Sequence, residues 1–316
     1  MNSSSTLALR SAHIGVVVGL LLLATNTSDS RETELIHKVV FFAILVVVPL
    51  AHSLIPADTQ QRRPFLFGLV AYAQPITAGA AITSFFVETG WTSAALSFPW
   101  FTLTALIGLF GLTRIMLRGS PSVPELSMDA GMVYLPVAGI WLVIYRFGEQ
   151  PFDYGETIIL LTVIHFHFAA YATLMIAGLN GRALEGQDYP HSMFGISVLA
   201  IIAAMPFVAM GITYSPWMGF FGTLALALGL VLLAVLTIGW VIPSITSLGK
   251  RIMLLIAAAS SCAAMVLASL YAYSLATHTL IIDIPTMAIT HGLLNAFGFV
   301  TCSLLAWSWS GPKQSR

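Results

Sequence analysis

Long apolar runs, each closed by a short polar or Pro/Gly-rich break, follow one another along almost the whole chain. They cover 10–25, 34–55, 64–87, 94–117, 130–148, 156–179, 192–213, 218–243, 251–276 and 285–309. Most reach the roughly 20 residues that a helix needs to cross the hydrocarbon of a bilayer. The pattern predicts an all-α polytopic bundle of about ten transmembrane helices. The breaks are too short to fold separately, so residues 1–316 read as a single integral membrane domain. Pro49, Pro75, Pro99, Pro136 and Pro206 fall inside runs. Membrane helices tolerate such prolines as kinks, because neighbours re-satisfy the freed carbonyl. No internal repeat of the kind that marks many transporters is visible.

Composition turns the pattern into a choice of solvent. The chain is 58% hydrophobic and only 8% charged, against about 25% charged in soluble domains. So few charges cannot cover a soluble surface, and the lipid bilayer is the expected partner. A net charge of zero gives no footprint for nucleic acid. Cys262 and Cys302 both sit in apolar runs and read as small core residues. With ten spans, one face collects Arg10, Arg62, Arg63, Arg114, Arg118, Arg182, Lys250, Arg251, Lys313 and Arg316; the other collects Arg31, Lys38 and Arg146. That bias predicts cytoplasmic N- and C-termini. The first run, 10–25, is short and is followed by Asn26-Thr27-Ser28-Asp29-Ser30. It resembles a signal-peptide core, but no small-x-small cleavage site follows, so a retained helix is expected; cleavage would leave nine spans.

Ionisable groups at membrane depth are costly and usually functional. The sixth run carries His165-Phe166-His167 near its middle, with Tyr171 beyond. Two residues apart on a helix point about 200° apart, so these imidazoles serve different neighbours rather than one ion. His167 shares a face with Tyr171. The plain alternative is two core histidines, each bonded to a carbonyl or hydroxyl on an adjacent helix. In the tenth run, Met287, His291, Asn295 and Gly298 share one face, and an i,i+4 His–Asn pair sets a donor beside an acceptor. A packing seam with polar glue is the alternative there. At the exterior ends of the runs lie Arg146, Glu156, Glu34 with His37, and Asp283, each readable as a snorkelling anchor. His291 and His165 fall about 9 Å and 15 Å below that surface at 1.5 Å per residue. These depths would let His165, His167, His291 and Asn295 share a cavity with Arg146 and Glu156 at its mouth. Gln74-Pro75 and Pro99-Trp100 are candidate lining residues, or kinks with packing aromatics. His52 falls at an inner run end and reads as interfacial.

These segments, in order and spacing, resemble the YndJ-like family of bacterial membrane proteins. The resemblance rests on His37-Lys38 to Pro49-Leu50, Gln74-Pro75, Pro99-Trp100 with Gly108 and Gly111, and Gly139 to Arg146 with Trp141. Its most specific parts are Leu161 to Ala169 and Thr290 to Phe299, and it extends over about residues 35–309. The chain departs from the pattern at Phe168-Ala169-Ala170, where an aromatic followed by Ala-Gly is expected; the histidines are unaffected. The resemblance implies a polytopic protein of the bacterial cytoplasmic membrane and transfers no activity. Val163 to Phe168 also resembles the haem–copper oxidase helix whose two histidines bind two haems on opposite faces. Further His ligands and an adjacent His-His pair, which that family needs, are missing here.

Three functions fit. The first is an intramembrane enzyme performing histidine-assisted proton transfer (isomerisation, cyclisation or hydration) on a lipophilic small molecule. His165, His167 or His291 would be the acid or base, and Asn295 would orient a carbonyl or hydroxyl. Arg146 and Glu156 would hold a polar end, with Tyr171, Gln74 and Trp100 lining the site. The second is a haem- or metal-binding redox protein using His165, His167 and His291. The third is a small-molecule transporter. No nucleophile elbow, P-loop or dinucleotide fingerprint appears, and no cofactor is predicted for the first reading. Oligomeric state is not encoded in any pattern found.

Overall fold

The computed structural model describes residues 3–55 and 64–309. Among these residues ten helices are long and apolar enough to cross a membrane. They are α1 (Ser4–Leu22), α2 (Arg31–Ser53), α3 (Phe65–Ser84), α4 (Trp91–Arg118), α5 (Val123–Phe147), α6 (Glu156–Leu184), α7 (His191–Thr213), α8 (Pro216–Ser244), α9 (Leu248–Thr277) and α10 (Ile284–Ser308). No strand occurs among the described residues. The protein is an all-α, multi-pass membrane bundle.

The helices gather into two compact units. Unit one is Met1–Pro121 with Asp129–Ala172, and unit two is Ser122–Met128 with Thr173–Arg316. In unit one α2 is the central helix: 83% of its apolar window is buried, the highest share of any span. It carries Val39, Val40, Phe41, Ile44 and Val48 into the core. The α1 helix lays a small-residue face, Ala8, Ser11, Ala12 and Gly15, against α2 and α3. A Cβ on Gly15 would come within 2.7 Å of the Leu45 carbonyl carbon, so glycine lets the backbones approach. The α4–α5 seam is built the same way. A Cβ on Gly111 would lie 2.8 Å from the Asp129 carbonyl oxygen, and one on Gly139 would lie 2.9 Å from Phe101 Cα.

In unit two, α7 and α8 form a tight hairpin in which Gly222 faces Val208 and Gly229 faces Ile201. The Ser197 hydroxyl donates to the Gly229 carbonyl at 2.7 Å. Buried Asn180 ties three helices together. It donates to Thr237 Oγ1 and accepts from the Trp307 indole, each at 2.9 Å.

Two helix starts differ from the apolar pattern, and each has a cause. Helix α1 begins at Ser4 rather than near residue 10, because its buried face is made of small residues that carry little hydropathy. Helix α5 begins at Val123 rather than 130, and so takes Glu125 and Asp129 into the protein. Both are neutralised. Asp129 receives Arg114 Nε at 2.8 Å and Arg118 Nη1 at 3.1 Å, and Glu125 receives Arg182 Nε at 2.8 Å. Three cations behind the expected orientation are therefore ion-paired. Arg62, Arg63, Lys313 and Arg316 lie outside the described residues.

Four helices contain π-helical stretches: Ala43–Val47 in α2, Phe166–Ala172 in α6, Thr237–Val241 in α8, and Ala288–Gly292 with Leu294–Thr301 in α10. A π turn bonds five residues back, and such turns cluster at functional sites. Here they hold His167, His291 and Asn295.

Candidate functional site

The most connected polar cluster in unit one lies where α2 begins and α5 ends. Ser30 caps α2, its hydroxyl accepting from the Thr33 amide at 3.4 Å. Glu34, His37 and Lys38 follow at i, i+3 and i+4, which places them on one helix face. Lys38 Nζ meets Glu34 Oε1 at 2.5 Å. It also donates to the Leu22 and Thr25 carbonyls at 2.7 and 2.6 Å, closing the end of α1. Thr27 turns back over α2, and its amide and hydroxyl both donate to Glu34 Oε2 at 2.7 Å.

Because the Thr27 hydroxyl hydrogen goes to a carboxylate, its oxygen must accept from His37 Nδ1, 2.8 Å away. That fixes the Nδ1–H tautomer and leaves Nε2 as an acceptor. Nε2 lies 2.8 Å from the Tyr145 hydroxyl, which therefore donates to it. The result is a directional relay, Tyr145 to His37 to Thr27 to Glu34, with Lys38 balancing the carboxylate. It is sheltered: His37 is 2% and Tyr145 8% exposed. Phe85 packs edge-on against the imidazole at 4.8 Å.

Arg146 stands next to the relay and is 5% exposed. Its backbone carbonyl accepts from the Gly90 amide at 3.0 Å and the Ser93 hydroxyl at 2.6 Å. Gly90 has φ +145°, a conformation L side chains rarely adopt. The guanidinium donates through Nη2 to the Val87 carbonyl at 2.7 Å. It lies 5.1 Å from the Phe85 ring centroid and 5.5 Å from that of Tyr145. Among the described residues no carboxylate lies within ion-pairing distance of it, and its buried Nε has no hydrogen-bond partner. Glu156 is solvent-exposed at the start of α6 and acts on Arg146 only through space.

The two histidines of α6 serve different neighbours, as their spacing requires. His167 is fully buried; Nδ1 donates to the Val163 carbonyl at 2.8 Å, and Nε2 accepts from the Trp100 indole at 3.3 Å. Both its ring nitrogens are thus engaged inside the protein. His165 is half-buried and donates from Nδ1 to the Leu161 carbonyl at 2.6 Å. Each imidazole bonds the carbonyl four residues back on its own helix, where the change to π bonding redirects the backbone amides. Tyr171 is buried, with its hydroxyl 3.5 Å from the Val48 carbonyl. Gln74 is buried between α1 and α2. It donates to the Ile44 carbonyl at 3.0 Å, inside the α2 π stretch, and accepts from the Ser11 hydroxyl. His52, expected at an interface, is buried and stacked on Phe67 at 4.2 Å.

In unit two His291 and Asn295 bond each other. Asn295 Nδ2 donates to His291 Nε2 at 3.0 Å, and His291 Nδ1 donates to the Ala264 carbonyl at 2.9 Å. Among the described residues no group of three or more His, Cys, Asp or Glu side chains is placed to hold a metal ion.

Sequence reasoning left Thr27 and Tyr145 out of the site and read Glu34 and His37 as helix-end anchors. The signal it had was Glu34-x-x-His37-Lys38 on one face and Tyr145-Arg146 at the end of a run. The pairing of those two places is a contact across 108 positions, which no local pattern displays.

A family model described as YndJ-like protein matches residues 38–299. The chain belongs to the YndJ-like family. The matched stretch of this YndJ-like chain contains Lys38, Tyr145, Arg146, His165, His167, His291 and Asn295. Thr27, Glu34 and His37 fall just before its first residue. The chain is 24% identical over 303 residues to the Bacillus subtilis (strain 168) protein named "Uncharacterized membrane protein YndJ". The alignment takes in 95% of this chain and 53% of that protein, so the YndJ-like chain spans about half the length of this relative. No solved structure matches.

Proposed function

We propose that this membrane protein is an enzyme of the bacterial cytoplasmic membrane that moves a proton within a lipophilic small molecule, with Tyr145 as the acid–base group. The observation that supports this reading is the sheltered relay Tyr145–His37–Thr27–Glu34. A phenol is a poor base by itself. Here its proton has a destination. As the Tyr145 oxygen takes a proton from the substrate, its own passes to His37 Nε2, and Glu34, acting through Thr27, stabilises the imidazolium. The protons on phenol and imidazole exchange with solvent, and reversing the path delivers one from that exchanged pool to a different substrate atom. The outcome is an isomerisation, balanced in atoms and electrons and needing no co-reactant. Arg146 stands where negative charge on the phenolic or substrate oxygen would develop.

In this reading the His167–Trp100 pair holds α4 to α6 rather than carrying the proton. A haem at His167 would have to displace Trp100 from Nε2. His165, also in unit one, is kept as a candidate positioning group for the substrate, and the His291–Asn295 pair of unit two stands as a separate candidate.

The test is solvent labelling. Protein in liposomes with host lipid extract is incubated in deuterated water, and lipophilic compounds are screened by mass for incorporated deuterium. The wild type is expected to label one species, and Tyr145→Phe and His37→Gln to lose the labelling. A Tyr145→Phe variant that labels at the wild-type rate, or a wild type that labels nothing, ends the proposal.

A further inference from the structure

Resting on the relay reading, we propose that Arg146 receives the oxyanionic head group, carboxylate or phosphate, of an amphiphilic substrate beside Tyr145. A guanidinium carries five N–H donors in a planar fork. That of Arg146 is buried at the end of a membrane span. One donor goes to the Val87 carbonyl, the guanidinium also engages the Tyr145 hydroxyl, and Nε is sealed from solvent without a partner. A buried cation lacking a carboxylate is expensive to keep. The other deeply buried cation, Arg114, has Asp129, and even the half-buried Arg118, Arg182 and Lys38 have Asp129, Glu125 and Glu34.

The chain fixes this group rather than leaving it to snorkel. Its backbone is held by Gly90 and Ser93, and Phe85 and Tyr145 flank its side chain. The N–H edge is then the part left to bind a ligand. That edge suits a carboxylate or phosphate, which an arginine fork holds through two parallel bonds. Tyr145 flanks the guanidinium, and with its own proton given to His37 its oxygen offers a bound substrate an acceptor. The nearby anions do not fill this role: Glu34 is taken by Lys38 and Thr27, and Glu156 stands in solvent, where it is screened. Exposed Phe86 and Trp91 adjoin Val87 and Gly90, the residues that bond Arg146, so an acyl or isoprenoid chain would lie against them while the head reaches Arg146.

Equilibrium binding in nanodiscs of a zwitterionic lipid tests this. The probes are dodecyl phosphate, dodecanoate, dodecanol and inorganic phosphate. At low salt the two anionic amphiphiles should bind at least about tenfold more tightly than dodecanol, and inorganic phosphate should compete only weakly. Arg146→Gln should remove the preference, Arg146→Lys should keep part of it, and Glu156→Gln should strengthen it. His37→Gln should leave it intact whatever it does to labelling, so a failure of the relay and a failure of the anion site read differently. Equal binding of dodecanol and dodecyl phosphate by the wild type overturns the proposal, and does so without any variant having to fold. So does a preference that survives Arg146→Gln. Inorganic phosphate binding as tightly as dodecyl phosphate overturns the amphiphile.

Discussion

Three histidines of unit one commit Nδ1 in the same way: His165 to the Leu161 carbonyl, His167 to the Val163 carbonyl and His37 to Thr27. What separates them is Nε2. For His167 it faces an indole, which gives a proton and never takes one. For His37 it faces a phenol, which does both. Tyr145→Phe keeps the ring packing and removes the oxygen. On the proposed reading, turnover measured by solvent labelling should therefore fall about 10²- to 10⁴-fold, the usual contribution of a placed acid or base, while the buried His37 Nε2 left without its donor lowers stability by about 1–3 kcal/mol. Trp100→Phe has the same cost in stability but touches no group of the relay. It strands a buried acceptor, so the protein should lose about 1–3 kcal/mol of stability, read as a lower melting point in detergent. At this scale the residue types were legible and their roles were not. A sunken His in the middle of a run draws attention, yet here the His with a proton-accepting Nε2 facing a phenol lies near a helix end.

Helices were the most legible level, because the bilayer leaves a spanning segment little choice but about twenty apolar residues with internally bonded backbone. The exceptions are informative. Glu125 and Asp129 made α5 look shorter than it is, since hydropathy counts a carboxylate as a cost and cannot see the arginine that offsets it. Asp129 is fully buried between Arg114 and Arg118. Asp129→Asn keeps the shape but leaves both cations without their counter-charge. The expected loss is about 3–5 kcal/mol, the range found when one partner of a buried pair is removed, and thermal unfolding of the purified variant would register it. The π stretches were invisible in sequence, because a widened turn has the same composition as an α turn.

For the whole molecule, the family and the ten-span architecture could be read from the order of apolar runs and two histidine-bearing motifs. The division into two units could not, because α5 and α6 each contribute to both. The Lys and Arg bias predicts on which side of the membrane each loop lies. In a Cys262→Ser, Cys302→Ser background, a cysteine at Glu149 should react with an impermeant maleimide added to intact cells. One at Glu185 should react only after lysis. The reverse pattern would invert the orientation, and equal reactivity would change the number of crossings between them.

The widened stretch Phe166–Ala172 ends where the second unit's share of α6 begins, at Thr173. One residue subtends about 100° of helix. Dropping a single residue between His167 and Tyr171 would leave His165 aimed as it is and swing Tyr171 away from the Val48 carbonyl by roughly that angle. The surplus residue thus works as a clock setting, deciding which side chain of the rod meets which neighbour.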